Sequence, residues 1–333
     1  MAQFSLAAMT PLTLLAVPNV SEGRDRPTIE AIGRALAGDG GPSEAPSGGG
    51  SGGALAGARG EGTGAHGVRL LDEHSDEDHH RSVFTLSGRP GDLADALLRG
   101  ARVAVERIDV MSDPDGRGEH PYVGALDVAP VVYLDTHARG AACAEALVVA
   151  DRIGGELGVP VFLYGELTGT GDGVGRSRAE LRRGGVTGLA ERIAAGQAPD
   201  FGPPRMHPTA GATLVAAREP LVAFNLELSA PATVEDARRI AALVREGGAE
   251  GLSGVRAIGV ALAGGVAQVS MNIERPLEIP LAMAIEAVAG HARVKSAELV
   301  GLAPAVALEG FPEDVPLPGF DPTRQVIENA LGF

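Results

Sequence analysis

The stretch APVVYLDTHARGAACAEALVVADRIGGELGVPVFLY, residues 129–164, carries the strongest indication of fold class. Ala129–Leu134 is an apolar run typical of a buried strand, and Val161–Tyr164 is a second, shorter one. Between them, Gly140–Leu157 has the length and the small apolar residues of a helix. A strand, a helix of this length and another strand predict helices packed on a mixed sheet.

The same alternation of strands and helices continues on both sides of this unit. Before it, we expect elements at Leu12–Val17, Arg26–Leu36, Val68–Asp72, Ser82–Ser87 and Gly91–Glu106. After it, we expect elements at Arg178–Arg183, Gly188–Ala194, Thr213–Ala217, Leu221–Leu228, Val234–Glu246, Val255–Ala261, Val266–Ile273, Pro280–Ala289 and Val294–Leu299. The sequence therefore predicts an α/β (α+β) fold of two α/β-sandwich lobes, each a mixed β-sheet covered by helices, with the ligand site in the cleft between them.

Segments rich in Gly and Pro divide the chain. Residues 37–67 include GGPSEAPSGGGSGG, whose composition predicts a flexible insertion. Asp200–Gly211 predicts a stiff loop between the lobes, either a plain linker or a surface with few conformations to lose on binding a planar ligand. We predict an N-terminal subdomain over 1–184, a connecting helix and loop over 185–211, a C-terminal subdomain over 212–303 and a C-terminal extension over 304–333.

The composition excludes several classes of partner. With 28 Lys and Arg against 43 Asp and Glu, the formal net charge of −15 opposes binding to nucleic acid or to an anionic membrane surface. No run approaches the ~20 apolar residues of a membrane span, and the N-terminus lacks the features of a signal peptide, so we expect a cytoplasmic protein. Cys143 is the only cysteine, which excludes an intramolecular disulfide, and we expect it to pack in a helix.

Two polar clusters are candidates for chemistry. The first contains His74, His79 and His80 among acidic residues, a composition that suits divalent metals. Its alternative is a solvated turn between strands, which we favour because the donors lack helical spacing, so no metal is expected. The second is GEHPYVGALD, residues 118–127, where Pro121 favours an extended conformation at His120. A histidine on such a loop suits proton exchange near neutral pH, with a structural or exposed histidine as the alternative.

Eight motifs resemble the formiminotransferase family and stand in the family's order over roughly residues 12–302. They are VPNVSEGR (17–24), HRSVFTL (80–86), GEHP (118–121) with GALDV (124–128), VPVFLY (159–164), DFGP (200–203), HPTAGA (207–212), AFNL (223–226) and AQVSMN (267–272). The resemblance implies glutamate formimidoyltransferase activity: a formimino group passes from N-formimino-L-glutamate to N5 of tetrahydrofolate, the co-substrate, in histidine degradation. It also implies a homodimer and a folate-binding tunnel between two α/β lobes.

The resemblance also assigns roles to residues. It implies that His120 is catalytic. The segment that it implies contacts folate consists of Gly202, Pro203, Pro204, Arg205, Met206, His207, Pro208, Thr209, Ala210 and Gly211. Beside His120, Asp72 and Asp127 are candidates to orient the imidazole and to stabilise a cationic amidine. Cations suited to the substrate carboxylates are Arg81, Arg24 and the pair Arg182–Arg183.

Three residues depart from the family pattern. Tyr122 stands where Arg is usual after the His-Pro pair, His80 where Asn is usual, and His74 where an acidic or small residue is commoner. The glycine-rich insertion is also unusual. These departures leave open a folate-dependent transferase for formyl or another one-carbon unit, and a noncatalytic folate-binding paralogue.

Overall fold

The structure, a computed structural model, describes residues 12–38, 67–113, 121–169 and 175–332. The predicted flexible insertion falls largely on residues 39–66 and lies outside the described residues, as does His120. None of the described helices is long and apolar enough to cross a membrane.

The first lobe is built on a mixed sheet, as predicted. Its strands within the described ranges are β1 (Leu14–Ala16), β2 (Asn19–Val20), β3 (Arg69–Asp76), β4 (Arg81–Gly88), β5 (Leu126–Val132), β6 (Val161–Leu163) and β7 (Thr213–Arg218). β1 and β2 act as one strand broken near Pro18, because both pair with β4 on one side and with β5 on the other. β3, β4, β1/β2 and β5 are antiparallel neighbours, whereas β7 lies parallel between β5 and β6.

One face of this sheet is covered by α1 (Arg26–Ala37), α2 (Asp92–Arg107) and α3 (Arg139–Leu157). The helices and this face share one apolar core, in which the fully buried side chains include Leu14, Ile29, Phe84, Leu97, Val131 and Val215. Burying each large apolar side chain contributes roughly 1.5–3 kcal/mol. The short α4 (Arg178–Leu181) and α5 (Gly185–Ala194) pack on part of the opposite face, against β5, β6 and β7.

The second lobe has a sheet of different character. Its strands are β8 (Val222–Leu228), β9 (Val255–Ala261), β10 (Ala267–Ile273) and β11 (Val294–Val300), and α6 (Val234–Val244) and α7 (Leu281–Ala289) cover one face. Thr233 caps α6 in a reciprocal pair with Asp236. The order is β11-β8-β10-β9 and every pair is antiparallel, so the prediction of a mixed sheet is wrong for this lobe. A short turn joins β9 to β10, and a connection of that length permits antiparallel pairing alone.

The strand β7 corrects the predicted assignment of residues to lobes. Thr213–Ala217 was expected to open the second lobe, within 212–303, but β7 hydrogen-bonds to β5 and β6 of the first sheet. The first sheet therefore continues to Arg218, and the second begins at Val222. The unbroken apolar run of β7 is typical of a strand buried on both faces, and such a run does not specify which sheet it joins.

The chain after β11 packs first on the second lobe, where Ala307 is buried in the core and Phe311 and Phe320 pack against it. It then crosses to the first lobe, where it includes α8 (Pro322–Gln325) and α9 (Ile327–Leu331). Ile327 is buried in a small cluster with Leu15, Val132 and Leu302, and the Arg69 guanidinium donates to the Ala330 carbonyl at 3.0 Å. The predicted extension, as far as it is described, is therefore a structural part of both lobes.

The two sheets meet through the faces that their helices leave uncovered. The turn between β3 and β4 contacts the second lobe directly: His79 Nε2 lies 3.2 Å from Gln268 Oε1. In the same turn, the Asp78 carboxylate accepts a hydrogen bond from the Ala263 N–H at 3.2 Å. Polar side chains therefore line part of the space between the lobes.

Candidate active site

A cavity lies between the facing surfaces of the two sheets. It lies in the cleft where the sequence predicted a ligand site. The apolar part of its wall includes Leu15, Val83, Val132, Leu302 and Ile327. Its polar side chains are Asn19, Thr85 and Asn272, and its cationic ones are Arg81, Arg178, Arg182 and Arg218.

The four arginines come from three elements of the first lobe. Arg81 opens β4, Arg178 and Arg182 lie at the two ends of α4, and Arg218 closes β7. Burial and the neighbouring Arg182 lower the pKa of Arg81 to about 10, and burial also lowers the pKa of Arg218 to about 10. Burial and Arg182 lower the pKa of Arg178. Arg81 and Arg218 remain cationic at neutral pH, because a pKa of about 10 lies well above 7.

These charges are not balanced by acidic side chains. Among the described residues, Arg182 alone of the four has an ion-pair partner, Asp127. The Arg218 guanidinium donates to the Glu219 carbonyl at 2.9 Å, and the Nε atoms of Arg81 and Arg218 are buried without a hydrogen-bond partner in the described part of the chain. Because enclosed charges require partners, the cavity suits an anionic ligand, and guanidinium groups suit carboxylates.

Both carboxylate oxygens of Asp127 accept hydrogen bonds from the protein. Its side chain is 3% exposed; Oδ1 accepts from the Val123 N–H at 2.8 Å, and Oδ2 accepts from Arg182. It therefore holds both a cavity arginine and the chain that follows Pro121. Its predicted role beside the His120 imidazole stays a prediction.

A smaller cavity adjoins the first and shares Asn19 and Arg81 with it. Asp127, His80 and Tyr122 also line this space. The Tyr122 hydroxyl donates to the Asp113 carbonyl at 3.2 Å, so the phenol links the described chain before and after residues 114–120. Tyr122, two residues after His120 in the sequence, thus borders the smaller cavity.

Other predicted residues lie outside both cavities. Asp72, on β3 opposite Thr85, lines neither, and burial raises its pKa. Arg24 is exposed and donates to the Glu77 carbonyl at 2.9 Å, and Arg183 is exposed. The structure therefore brings Arg81 and Arg182 to the cavity, but not Arg24 or Arg183.

The loop Gly202–Gly211 also lines neither cavity. It packs beside the chain that enters β5, where the Ala125 N–H donates to the Ala210 carbonyl at 2.9 Å. His207 Nδ1 accepts from the Ala210 N–H at 3.0 Å, and burial lowers the His207 pKa, so its neutral imidazole stabilises the loop itself. Contact of this loop with folate stays a prediction.

Two cationic residues of the cavity were missed by the sequence analysis. Arg178 follows Ser177, whose capping box begins α4, and Arg218 ends the apolar run of β7. An arginine directly after a buried strand is a signal that could have been used for Arg218. Arg178 has no comparable signal, because it reaches the cavity only through the packing of a four-residue helix.

Comparisons with known proteins bear on this site. The model of the formiminotransferase domain, N-terminal subdomain, matches residues 13–218 and so ends where β7 ends. Glutamate formimidoyltransferase of Streptococcus pyogenes serotype M1 is 38% identical over 273 residues, covering 80% of this chain and 89% of the relative. Glutamate formimidoyltransferase of Thermoplasma acidophilum is 32% identical over 300 residues, covering 88% of each.

Formimidoyltransferase-cyclodeaminase of Sus scrofa is 37% identical over 310 residues, covering 88% of this chain and 50% of the relative. This chain therefore spans about half the length of that two-function relative.

Gly124 tests the packing of the loop against the chain entering β5. A Cβ on Gly124 would lie 1.8 Å from the Ala212 carbonyl oxygen, so Gly124→Ala must push two backbones apart. We expect the free energy of unfolding, measured by urea denaturation, to fall by about 2 kcal/mol or more. Gly155→Ala is the control: a Cβ there meets nothing within 4 Å, and the helical position gains up to about 1 kcal/mol. Equal stability of both variants would contradict this packing.

Removal of the Asp127 charge should lower the free energy of unfolding, whereas removal of the Asp72 charge should not. Asp127→Asn leaves the buried Arg182 uncompensated and should lower the free energy of unfolding by about 3 kcal/mol at pH 7.

Burial raises the pKa of Asp72 above its ordinary 3.8. The ionised Asp72 therefore opposes folding at neutral pH, and this destabilisation disappears as the pH falls below 3.8. Asp72→Asn should therefore not destabilise at pH 7. Urea denaturation at pH 3.5 and pH 7 tests both, and a larger loss for Asp72→Asn would refute the assignment.

Proposed function

The chain belongs to the formiminotransferase family, and we propose that it transfers a formimino group from N-formimino-L-glutamate to N5 of tetrahydrofolate. The products are 5-formiminotetrahydrofolate and L-glutamate, and the reaction belongs to histidine degradation. The observation that best supports this function is the interlobe cavity, whose Arg81 and Arg178 lack an acidic partner among the described residues. Both substrates carry carboxylates that such guanidinium groups would bind.

The chemistry needs proton transfer rather than an oxyanion site. The formimino carbon lies between two nitrogens, and the protonated amidine is already a cation. N5 of tetrahydrofolate attacks this carbon, N5 loses its proton, and the bond from the carbon to the glutamate nitrogen breaks as that nitrogen is protonated. One imidazole can accept the first proton and donate it to the leaving nitrogen, which contributes typically ~10²–10⁴-fold. We assign this role to His120.

The side chains around the cavities support positioning roles. Asp127 holds Arg182 through one oxygen and the backbone of Val123 through the other, which ties the cavity wall to the chain that follows the GEHP motif. A misplaced catalytic group can cost 10²-fold in rate. Asp127 is therefore proposed to act through the residues that it positions.

Tetrahydrofolate is proposed as a co-substrate rather than a resident cofactor. The proposal also includes a homodimer, as the family resemblance implies, and a cytoplasmic location. Sedimentation equilibrium of the purified chain measures the association state directly.

The proposed reaction is tested by following the amidine absorbance of 5-formiminotetrahydrofolate with the purified chain. We expect product from N-formimino-L-glutamate and tetrahydrofolate. His120→Ala should lower kcat by ~10²-fold or more while leaving the Kd of tetrahydrofolate unchanged. Unchanged turnover in this variant would remove His120 from the mechanism.

The alternative functions give different results in the same experiment. A formyl or other one-carbon transferase would yield product only when the corresponding donor replaces N-formimino-L-glutamate. A noncatalytic paralogue would bind tetrahydrofolate and turn over none of these donors. Tight folate binding without product from N-formimino-L-glutamate would therefore refute the proposed reaction.

Substitution of Arg81 and of Arg24 compares a cationic residue of the cavity with one on the surface. Arg81→Gln removes a guanidinium that lines both cavities, and Arg24→Gln removes an exposed one. Loss of a charge-assisted hydrogen bond costs about 1.5–3 kcal/mol, so we expect Arg81→Gln to raise the KM of at least one substrate by roughly 10- to 100-fold. Arg24→Gln should leave both KM values unchanged. Equal effects of the two substitutions would contradict the cavity as the substrate site.

A further inference from the structure

A cluster of potential metal ligands lies between the lobes, beside the arginine-lined wall. It consists of His74 and Asp76 from β3 and Glu298 from β11, and one ligand atom of each lies within 4.8 Å of the others. His74 and Asp76 are two residues apart on one strand and so point to the same face of the first sheet. Glu298 pairs with Asn225 across β8 and β11 and approaches from the second sheet.

The distance between the His74 and Glu298 side chains is close to that between two ligand atoms of one metal ion. His74 Nε2 lies 3.4 Å from Glu298 Oε1, yet Nε2 is buried and makes no hydrogen bond to a described residue. Bonds of about 2.0–2.1 Å to a tetrahedral ion would place two ligand atoms about 3.3 Å apart. The spacing therefore fits a metal ion bound by both atoms.

Each carboxylate uses one oxygen in a hydrogen bond to the protein. Asp76 Oδ1 accepts from the His79 N–H at 2.8 Å, and Glu298 Oε2 accepts from Asn225 Nδ2 at 2.8 Å. Such outer hydrogen bonds orient ligating carboxylates in metal sites. The other oxygens lie beside imidazoles: Glu298 Oε1 is 3.4 Å from His74 Nε2, and Asp76 Oδ2 is 3.9 Å from His79 Nε2.

Asn225 is a further buried polar residue beside the cluster. Its side chain is 1% exposed and is directed at Glu298 through Nδ2, while its Oδ1 is buried without a hydrogen-bond partner among the described residues. An unsatisfied buried amide oxygen carries a free-energy penalty that a bound cation or its water ligand would relieve. Asn225 is joined to the cluster through its hydrogen bond to Glu298.

We propose that His74, Asp76 and Glu298 bind a divalent transition-metal ion, with Zn²⁺ as the representative, at the junction of the two lobes. One imidazole and two carboxylates match such ions better than Mg²⁺ or Ca²⁺, which prefer sites composed of oxygen ligands. Asp76 and Glu298 also lie near the Arg81 guanidinium and supply the negative charge that a dication requires. Because its ligands come from both lobes, the ion would link β3 to β11.

The proposal is tested by calorimetric titration of the tag-free, chelator-treated chain with Zn²⁺ at pH 7, and with Mg²⁺ in parallel. We expect one Zn²⁺ per chain at the cluster and weaker binding of Mg²⁺. Glu298→Gln and Asp76→Asn, which change ligands on opposite lobes, should each lower the Zn²⁺ affinity at least tenfold. His137→Ala is the matched control, because His137 forms a surface pair with Asp135 and should not contribute to the site.

Thermal unfolding gives a second measurement that does not depend on catalysis. Zn²⁺ should raise the Tm of the wild-type chain, since binding to the folded state alone stabilises it, and should not raise the Tm of Glu298→Gln. Binding that is as tight in Glu298→Gln as in the wild type would overturn the proposal. Stronger binding of Mg²⁺ than of Zn²⁺, or no one-to-one Zn²⁺ site, would also overturn it and leave His74 and Glu298 as a simple ion pair.

Discussion

Each sheet has one face that its own helices leave uncovered, and the two uncovered faces are turned toward each other. They carry arginine, asparagine, histidine and carboxylate side chains, so they cannot merge into a single apolar core. Polar groups removed from water must find partners, and here the protein provides them for only some of these groups. The cavity and its unbalanced positive charge both follow from this arrangement.

The features that could be predicted from the sequence have local signals. The helix α3 between two apolar strands and the Thr233 cap of α6 are encoded within a few residues of themselves. The sheet to which β7 belongs is a long-range property. Its apolar run fits a strand of either lobe, and only its pairing with β5 and β6 places it in the first.

The polar site shows the same division. In the sequence, His74 forms one polar cluster with His79 and His80, because the three are close in the chain. The structure instead groups His74 with Asp76, its second neighbour along the strand, and with Glu298, which is 224 positions away. Arg178 and Arg218 were likewise missed, because both reach the cavity only after the chain has folded back on the first sheet. Local patterns identify residues capable of chemistry, whereas tertiary packing selects which of them meet.

The turn between β3 and β4 has a mechanical consequence. Asp78 and His79 contact the second lobe at Ala263 and Gln268, and His80 and Arg81 follow immediately in the chain. Any change in the separation of the lobes would pull on this turn and, through two peptide bonds, on a guanidinium that lines both cavities. The orientation of the Arg81 side chain would therefore depend on the distance between the two lobes.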